Sequence, residues 1–275
     1  MLNLCFSPCP NDTFIFDAMI HGKVDTEGLS FEVVLDDVEA LNRRAFAGQA
    51  DVTKLSYHAF AYLTDKFDLL DAGSALGTNC GPLLIARQPI ADAALLEGPI
   101  AIPGKMTTAN FLLSLAYPDA RNKPEYLFSD IEDAVEQGDV VAGLIIHENR
   151  FTYQNRGLVK LLDLGEFWET KTGMPIPLGG IVVRKDLPLD LKQAVNRVLR
   201  RSVAYARANP ESVMPYVRRH AQAMQDAVMQ AHIDLYVTDY TADLGAKGRE
   251  TVRQMFQLAL ERQIIPNYNK NFFIN

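Results

Sequence analysis

Short apolar segments alternate with amphipathic patterns over the first two thirds of the chain. The apolar segments are four to seven residues long, as expected for strands, and the segments between them space apolar residues at a helical period. Predicted strands cover residues 2–6, 29–35, 51–55, 82–86, 100–103, 140–146 and 179–183. This alternation is typical of βα units around a largely parallel sheet.

Predicted helices lie between these strands and then make up most of the chain after residue 189. They cover residues 13–21, 36–46, 57–63, 109–116, 130–137, 189–208, 210–219, 225–237 and 248–262. Polar residues mark several helix starts, because a side-chain oxygen can accept the unpaired N–H groups of a first turn. The candidate caps are Asn11 or Asp12 for the first helix, Asp36 and Asp37 for the second, and Ser56 for the third.

The order of these elements predicts an α/β protein of two lobes. The middle of the chain would form its own small sheet, and the C-terminal helices would return to the first lobe. The larger lobe would comprise residues 1–86 and 184–275 and the smaller lobe residues 87–183, with residues 87–98 as a passage between them. Type II periplasmic-binding-protein-like folds have this architecture, in which a ligand lies in the cleft between two lobes.

Composition and charge indicate which classes of binding partner the protein can have. The 275-residue chain has a formal net charge of −7, and no run of Lys and Arg builds a basic face, which argues against nucleic acid. No apolar window reaches the length of a membrane helix, and the first residues lack the basic region of a signal peptide. We therefore expect a cytoplasmic protein with a small-molecule ligand. Three cysteines are too few for a disulfide framework, and Cys9 remains an alternative nucleophile.

Polar or small residues follow several predicted strands directly. Ligands of such sheets collect at the carboxyl ends of strands, where helix N-termini present N–H groups to anions. Residues 7–13, 54–56, 104–109 and 147–150 meet this condition. The third segment lacks the first glycine and the final hydroxyl residue of a P-loop, so it is either a carboxylate site or a plain helix cap. Lys54 is either a surface lysine or the charge partner of a small anionic substrate.

His147 follows the most hydrophobic predicted strand, residues 140–146. A histidine with a pKa near 6.5 can be neutral and basic at cytoplasmic pH, so His147 is a candidate general base; a packed, hydrogen-bonded histidine is the alternative. Glu148 could orient its ring. The remaining histidines lie in helical patterns, and no His, Asp or Glu set has metal-binding spacing, so we expect no metal.

Four segments together resemble the 1,4-dihydroxy-6-naphthoate synthase family of the futalosine route to menaquinone. They are SPCPNDTFIF at 7–16, TKLSY at 53–57, TTA at 107–109 and GLIIHE at 143–148. The likeness extends over nearly the whole chain and weakens after about Thr238, and the first and last segments are its most specific parts. Where the family pattern leads us to expect serine, this chain has Asn149.

The resemblance implies a type II periplasmic-binding-protein-like fold and a lyase without a cofactor. The implied reaction cleaves a carbon–carbon bond of cyclic dehypoxanthine futalosine to give 1,4-dihydroxy-6-naphthoate and a three-carbon sugar fragment. His147 matches the catalytic base of the family. The implied substrate contacts are Ser56, Thr108 and Ala109, with Lys54, Leu55 and Thr107 beside them, and the first segment adds Asn11 and Asp12 as candidate contacts.

Three other functions stay open on the sequence alone. Chorismate dehydratase of the same pathway has the same fold but a different substrate. An extracytoplasmic solute-binding protein would need a signal sequence and would need no base at position 147. A non-catalytic ligand sensor would bind its ligand tightly and release no product.

Overall fold

The computed structural model describes residues 1–221 and 225–274, which form a mixed α/β fold. The chain divides into two compact units. Unit 1 comprises Met1–Gly77 and Pro177–Asn275, and unit 2 comprises Thr78–Ile176.

The strands follow one another through both units. They are β1 (Leu2–Phe6), β2 (Phe31–Leu35), β3 (Val52–Ser56), β4 (Phe67–Leu69), β5 (Ala75–Gly77), β6 (Leu83–Ala86), β7 (Ile100–Ala101), β8 (Ala142–Ile145), β9 (Val159–Asp163) and β10 (Ile176–Arg184).

The helices lie between these strands and after them. They are α1 (Pro10–Ile20), α2 (Val38–Phe46), α3 (Tyr57–Ala61), α4 (Asp92–Glu97), α5 (Thr108–Ala116), α6 (Ile131–Gln137), α7 (Asn149–Thr152), α8 (Leu164–Thr172), α9 (Leu189–Ala208), α10 (Pro210–His220), α11 (Asp226–Tyr236), α12 (Asp239–Ala242) and α13 (Gly245–Glu261). Two short 3₁₀ helices, Phe128–Asp130 and Tyr153–Arg156, also occur among the described residues.

The sheet of unit 1 has the strand order β2-β1-β3-β10-β4, with β5 beside β10. The strand β1 is parallel to β2 and β3, whereas β10 runs antiparallel to β3 and β4. Helix α1 is buried along almost its whole length because α9, α10 and α11 pack against it. Phe14, Ile15 and Phe16 of this helix therefore join the main hydrophobic core. The carboxyl ends of β1 and β3 lie at the same edge of this sheet.

The sheet of unit 2 has the strand order β7-β8-β6-β9. The strand β8 is parallel to β7 and antiparallel to β6, which in turn is antiparallel to β9. Helix α6 lies close against β8 at Gly143, where an added Cβ atom would meet the Ile131 and Val135 side chains at 2.5 and 2.7 Å. The glycine therefore permits the close packing of helix and strand that holds the end of β8 in place.

Most predicted elements agree with the structure, but three features of the prediction need correction. Both sheets are mixed rather than largely parallel, because β10 and β6 each run against two neighbours. Residues 87–98 contain α4, within unit 2. Both predicted lobe boundaries are wrong. The boundary after residue 86 would assign β6 to the larger lobe, whereas β6 pairs with β8 and β9 of unit 2. The boundary after residue 183 would assign most of β10 to the smaller lobe, whereas β10 pairs with β3 and β4 of unit 1.

Candidate active site

A buried ion pair joins two of the predicted site residues in unit 1. The Lys54 Nζ atom on β3 lies 2.6 Å from Oδ1 of Asp12 on α1, and the two residues are 7% and 1% exposed. The second oxygen of Asp12 accepts hydrogen bonds from the hydroxyl and the backbone N–H of Ser7, at 2.7 and 3.3 Å. Lys54 is therefore no surface lysine, because its charge is balanced inside the unit.

Asn11 extends this network to the C-terminal helices. Its Nδ2 group donates to Oδ1 of Asp12 at 2.8 Å, and its Oδ1 atom lies 2.9 Å from Nε2 of His232. Because a carboxylate only accepts, the Asn11 oxygen must face the ring, and Nε2 of His232 therefore carries a proton. The sequence alone does not reveal the role of His232, which comes from α11, because no local pattern links residues 221 positions apart.

The predicted capping by Asn11 or Asp12 is wrong. Helix α1 begins at Pro10, one turn earlier than predicted, with Cys9 at the N-cap position and no side-chain cap. Proline is well suited to a first helical position because it has no N–H to satisfy there. Its presence leaves the Asn11 and Asp12 side chains available for the buried network.

Ser56 ends β3 and is held by a second polar cluster. Its backbone N–H donates to Oδ1 of Asn42 at 3.1 Å, and the Asn42 amide donates to the Ser56 hydroxyl at 3.2 Å. Ser56 occupies the N-cap position of α3 but its side chain makes no capping bond, so that part of the prediction is wrong. The hydroxyl accepts from Asn42 and keeps its own O–H as a donor. Leu55, the preceding residue, is fully buried and pairs with Gly180 of β10.

Thr107, Thr108 and Ala109 form the start of α5 in unit 2. Thr107 is the N-cap: its hydroxyl accepts from the Asn110 N–H at 3.2 Å and donates to the Gly104 carbonyl at 2.8 Å. Thr108 and Ala109 are the first helical residues, and both are buried. The Thr107 side chain thus has a structural role, while this helix terminus has the polarity that suits an anion.

His147 adopts an unusual backbone conformation two residues after the end of β8. Its φ is +59°, in the left-handed region that residues other than glycine rarely occupy. The ring is half-buried and contacts the ring of Phe128 edge to face, with a centroid distance of 5.1 Å. Such strain costs on the order of 1–3 kcal/mol and occurs preferentially at functional sites.

The turn that follows His147 is fastened to the rest of unit 2. Asn149 Nδ2 donates to Oε2 of Glu132 at 2.6 Å, and Arg150 contacts Gly81 and Asp163. Burial raises the pKa of the Glu132 carboxyl, although Arg156 and the Asn149 hydrogen bond oppose this effect. The asparagine at position 149 thus has a clear structural role.

The alternative nucleophile Cys9 is buried at the start of α1. His21 bonds to Asp17 on α1, and burial raises the pKa of the Cys80 thiol to about 12. Residues 1–221 and 225–274 contain no group of three His, Cys, Asp or Glu residues able to hold a metal ion. Over the same residues, no helix is both long and apolar enough to span a bilayer.

The chain is similar over nearly its full length to proteins of menaquinone biosynthesis. A family model described as menaquinone biosynthesis matches residues 2–261. A Thermus thermophilus protein named 1,4-dihydroxy-6-naphtoate synthase is 47% identical over 99% of both chains. A Streptomyces coelicolor protein of the same name is 43% identical over 96% of this chain and 95% of its own.

Solved structures with this fold include both similar and remote sequences. A protein of Archaeoglobus fulgidus superposes with a TM-score of 0.91 at 36% identity, over 96% of this chain and 98% of its own. An alkanesulfonate-binding protein from Xanthomonas axonopodis pv. citri, bound to MOPS, has a TM-score of 0.72 at 11% identity, over 99% and 96% of the two chains. These neighbours confirm the predicted periplasmic-binding-protein-like fold.

Proposed function

The chain belongs to the 1,4-dihydroxy-6-naphthoate synthase family of menaquinone biosynthesis, and we propose that it converts cyclic dehypoxanthine futalosine to 1,4-dihydroxy-6-naphthoate. Family membership, predicted from four short segments, is confirmed by relatives that match almost the entire chain. The relatives are enzymes by name, so a catalytic function has stronger support than binding alone. A biosynthetic role of this kind also supports action in the cytoplasm.

His147 is the proposed general base. In a retro-aldol cleavage, the base removes a hydroxyl proton, the oxygen forms a carbonyl bond, and the adjacent carbon–carbon bond breaks. The electron pair of that bond moves into a carbonyl group conjugated with the ring, so the substrate itself supplies the electron sink. General-base catalysis contributes roughly two to four orders of magnitude in rate. The observation that carries this assignment is the left-handed, half-buried His147 at the carboxyl end of β8.

Each unit has proposed substrate contacts of its own. In unit 2, the start of α5 at Thr107, Thr108 and Ala109 would bind the carboxylate through the positive end of the helix. This role suits backbone N–H groups better than the Thr107 hydroxyl, which already bonds within the turn.

In unit 1, the Ser56 hydroxyl, which Asn42 orients, would donate to a polar group of the substrate. Leu55 is buried in the sheet and would contribute backbone atoms rather than its side chain. Lys54, Asn11 and Asp12 would present one preformed polar surface, because their side chains are joined by hydrogen bonds of 2.6 and 2.8 Å. The substrate would meet a nearly neutral ion pair there rather than an isolated positive charge.

One assay separates this proposal from its alternatives. Purified protein is incubated with cyclic dehypoxanthine futalosine and, separately, with chorismate, and the products are identified by mass. We expect 1,4-dihydroxy-6-naphthoate from the first substrate and no reaction of the second. Consumption of chorismate alone would assign the chain to the dehydratase, and binding without any product would favour a solute-binding protein or a ligand sensor.

A further inference from the structure

Arg150 lies three residues after His147, in the short helix α7 that follows the left-handed turn. We propose that Arg150 is a positioning residue: its guanidinium group fixes the turn that carries the base to the ends of two strands of unit 2. This inference rests on the proposed function, since it assigns Arg150 a role only through His147.

The guanidinium group of Arg150 has two partners from different strand ends. Its Nη1 atom donates to the carbonyl of Gly81, and its Nη2 atom lies 2.7 Å from Oδ2 of Asp163. The side chains of Arg150 and Asp163 are 17% and 8% exposed, so this contact is largely shielded from water and salt. A planar guanidinium fork holds two such partners in a defined geometry, which a flexible ammonium group does not.

Both partners are themselves rigidly placed. Asp163 ends β9, and its other oxygen caps α8 by accepting from the N–H groups of Gly165 and Glu166 at 2.8 and 3.2 Å. Gly81 lies just before β6 and touches Gly165, since a Cβ atom on Gly81 would come within 2.1 Å of the Gly165 nitrogen. Arg150 thus binds to a fixed corner where β6 and β9 pair.

One turn of backbone separates Arg150 from His147. The Arg150 N–H donates to the His147 carbonyl at 3.4 Å, and the Phe151 N–H donates to the Glu148 carbonyl at 2.9 Å. Because the conformation of His147 is strained, the turn relaxes unless its far end is held. The strands β6 and β9 pair through their own backbone, so loss of Arg150 affects the turn more than the sheet.

The test compares Arg150→Ala with Arg150→Lys and with Arg121→Ala, a matched control whose side chain is 84% exposed in the same unit. Misplacing a catalytic group by about 1 Å can lower the rate on the order of 100-fold. We expect kcat of Arg150→Ala to fall by about this factor with KM within threefold of wild type. Arg150→Lys should be intermediate, and Arg121→Ala should match wild type.

The split between kcat and KM distinguishes positioning from a general loss of structure. A misplaced base lowers kcat and leaves substrate binding in place, whereas a general loss of structure would also raise KM and lower the melting temperature. A kcat of Arg150→Ala within threefold of wild type, or a KM that rises as much as kcat falls, overturns the inference. If Arg150→Ala does not fold, Asp163→Asn decides: a kcat loss of tenfold or more with unchanged KM supports the inference, and an unchanged kcat overturns it.

The failure of this inference differs from the failure of the proposed function. If wild-type protein makes no 1,4-dihydroxy-6-naphthoate, the function is wrong. If wild type is active, His147→Asn is inactive and Arg150→Ala retains full kcat, only the positioning role is wrong.

Discussion

The two units hold their proposed site residues by opposite means. In unit 1, Lys54 lies within a regular strand, and Asp12 balances its charge at 2.6 Å. In unit 2, His147 lies in a strained turn that Arg150 and Asn149 fasten through their side chains. Substitution of the ion pair in unit 1 should therefore destabilise the fold, whereas substitution of His147 in unit 2 can relieve backbone strain while abolishing activity.

The largest effect on stability is expected for Asp12→Ala. This change leaves the Lys54 ammonium group buried without its charge partner, which should lower the free energy of unfolding by about 3–5 kcal/mol. Urea unfolding followed by far-UV circular dichroism measures the effect.

The double variant Asp12→Ala/Lys54→Met is the control, because it removes both charges. It should recover most of the lost stability, since replacing a whole buried ion pair with apolar groups is often nearly neutral. A single variant within about 1 kcal/mol of wild type would contradict the role assigned to this pair.

A smaller effect on stability is expected at His147, where the choice of replacement decides whether backbone strain is relieved. His147→Gly and His147→Ala both remove the imidazole, but only glycine adopts the left-handed conformation without strain. The glycine variant should therefore be more stable than the alanine variant by roughly 1–2 kcal/mol. Urea unfolding followed by the fluorescence of Trp168, which is buried in unit 2, reports the difference. Equal stability of the two variants would show that the turn stores no backbone strain.

The smallest effect is expected for Glu132→Gln, and it depends on pH. Because burial raises the pKa of Glu132, the contribution of this carboxyl to stability is fully present below its unfolded pKa and is lost as the pH rises through its folded pKa. Glutamine keeps the acceptor for Asn149 without the charge. As the pH rises from about 4 to about 8, the melting temperature of the variant should therefore rise relative to that of wild type. This pH range starts near the usual pKa of a glutamate and extends above it.

Thermal melts of both proteins across that pH range check this prediction. A gap between variant and wild type that narrows with rising pH would mean that the attraction of Arg156, 3.7 Å away, outweighs the effect of burial.

The sequence alone predicts those helices and strands whose own residues show a clear apolar period. The strand β1 and helix α9 have the predicted bounds, because each has an uninterrupted apolar period. The three-residue strands β4 and β5 and the helix α8 were missed, since short or mixed segments carry no clear period.

The helix N-caps show that neighbouring residues alone do not determine which side chain caps a helix. Asp37 caps α2 as predicted, by accepting from the Glu39 and Ala40 N–H groups. Ser56 holds the corresponding position before α3, but its hydroxyl bonds to Asn42 of α2 instead. Asp12 lies inside α1 rather than before it and pairs with Lys54 of β3. Tertiary partners outcompete a local cap, and no sequence spacing reveals them.

The candidate site was accessible to sequence reasoning only in part. The position of His147 at the end of a buried strand was predicted, and β8 ends two residues before it. Its positive φ and the link from Arg150 to Asp163 were not, because they depend on how the ends of β6 and β9 meet.

The turnover of His147→Asn tests the central claim most directly. Asparagine removes the base and keeps a polar side chain that, among residues other than glycine, tolerates a left-handed backbone well. With cyclic dehypoxanthine futalosine as substrate, we predict that kcat falls on the order of 100- to 10,000-fold. A kcat within tenfold of wild type would contradict the assignment of His147 as the general base.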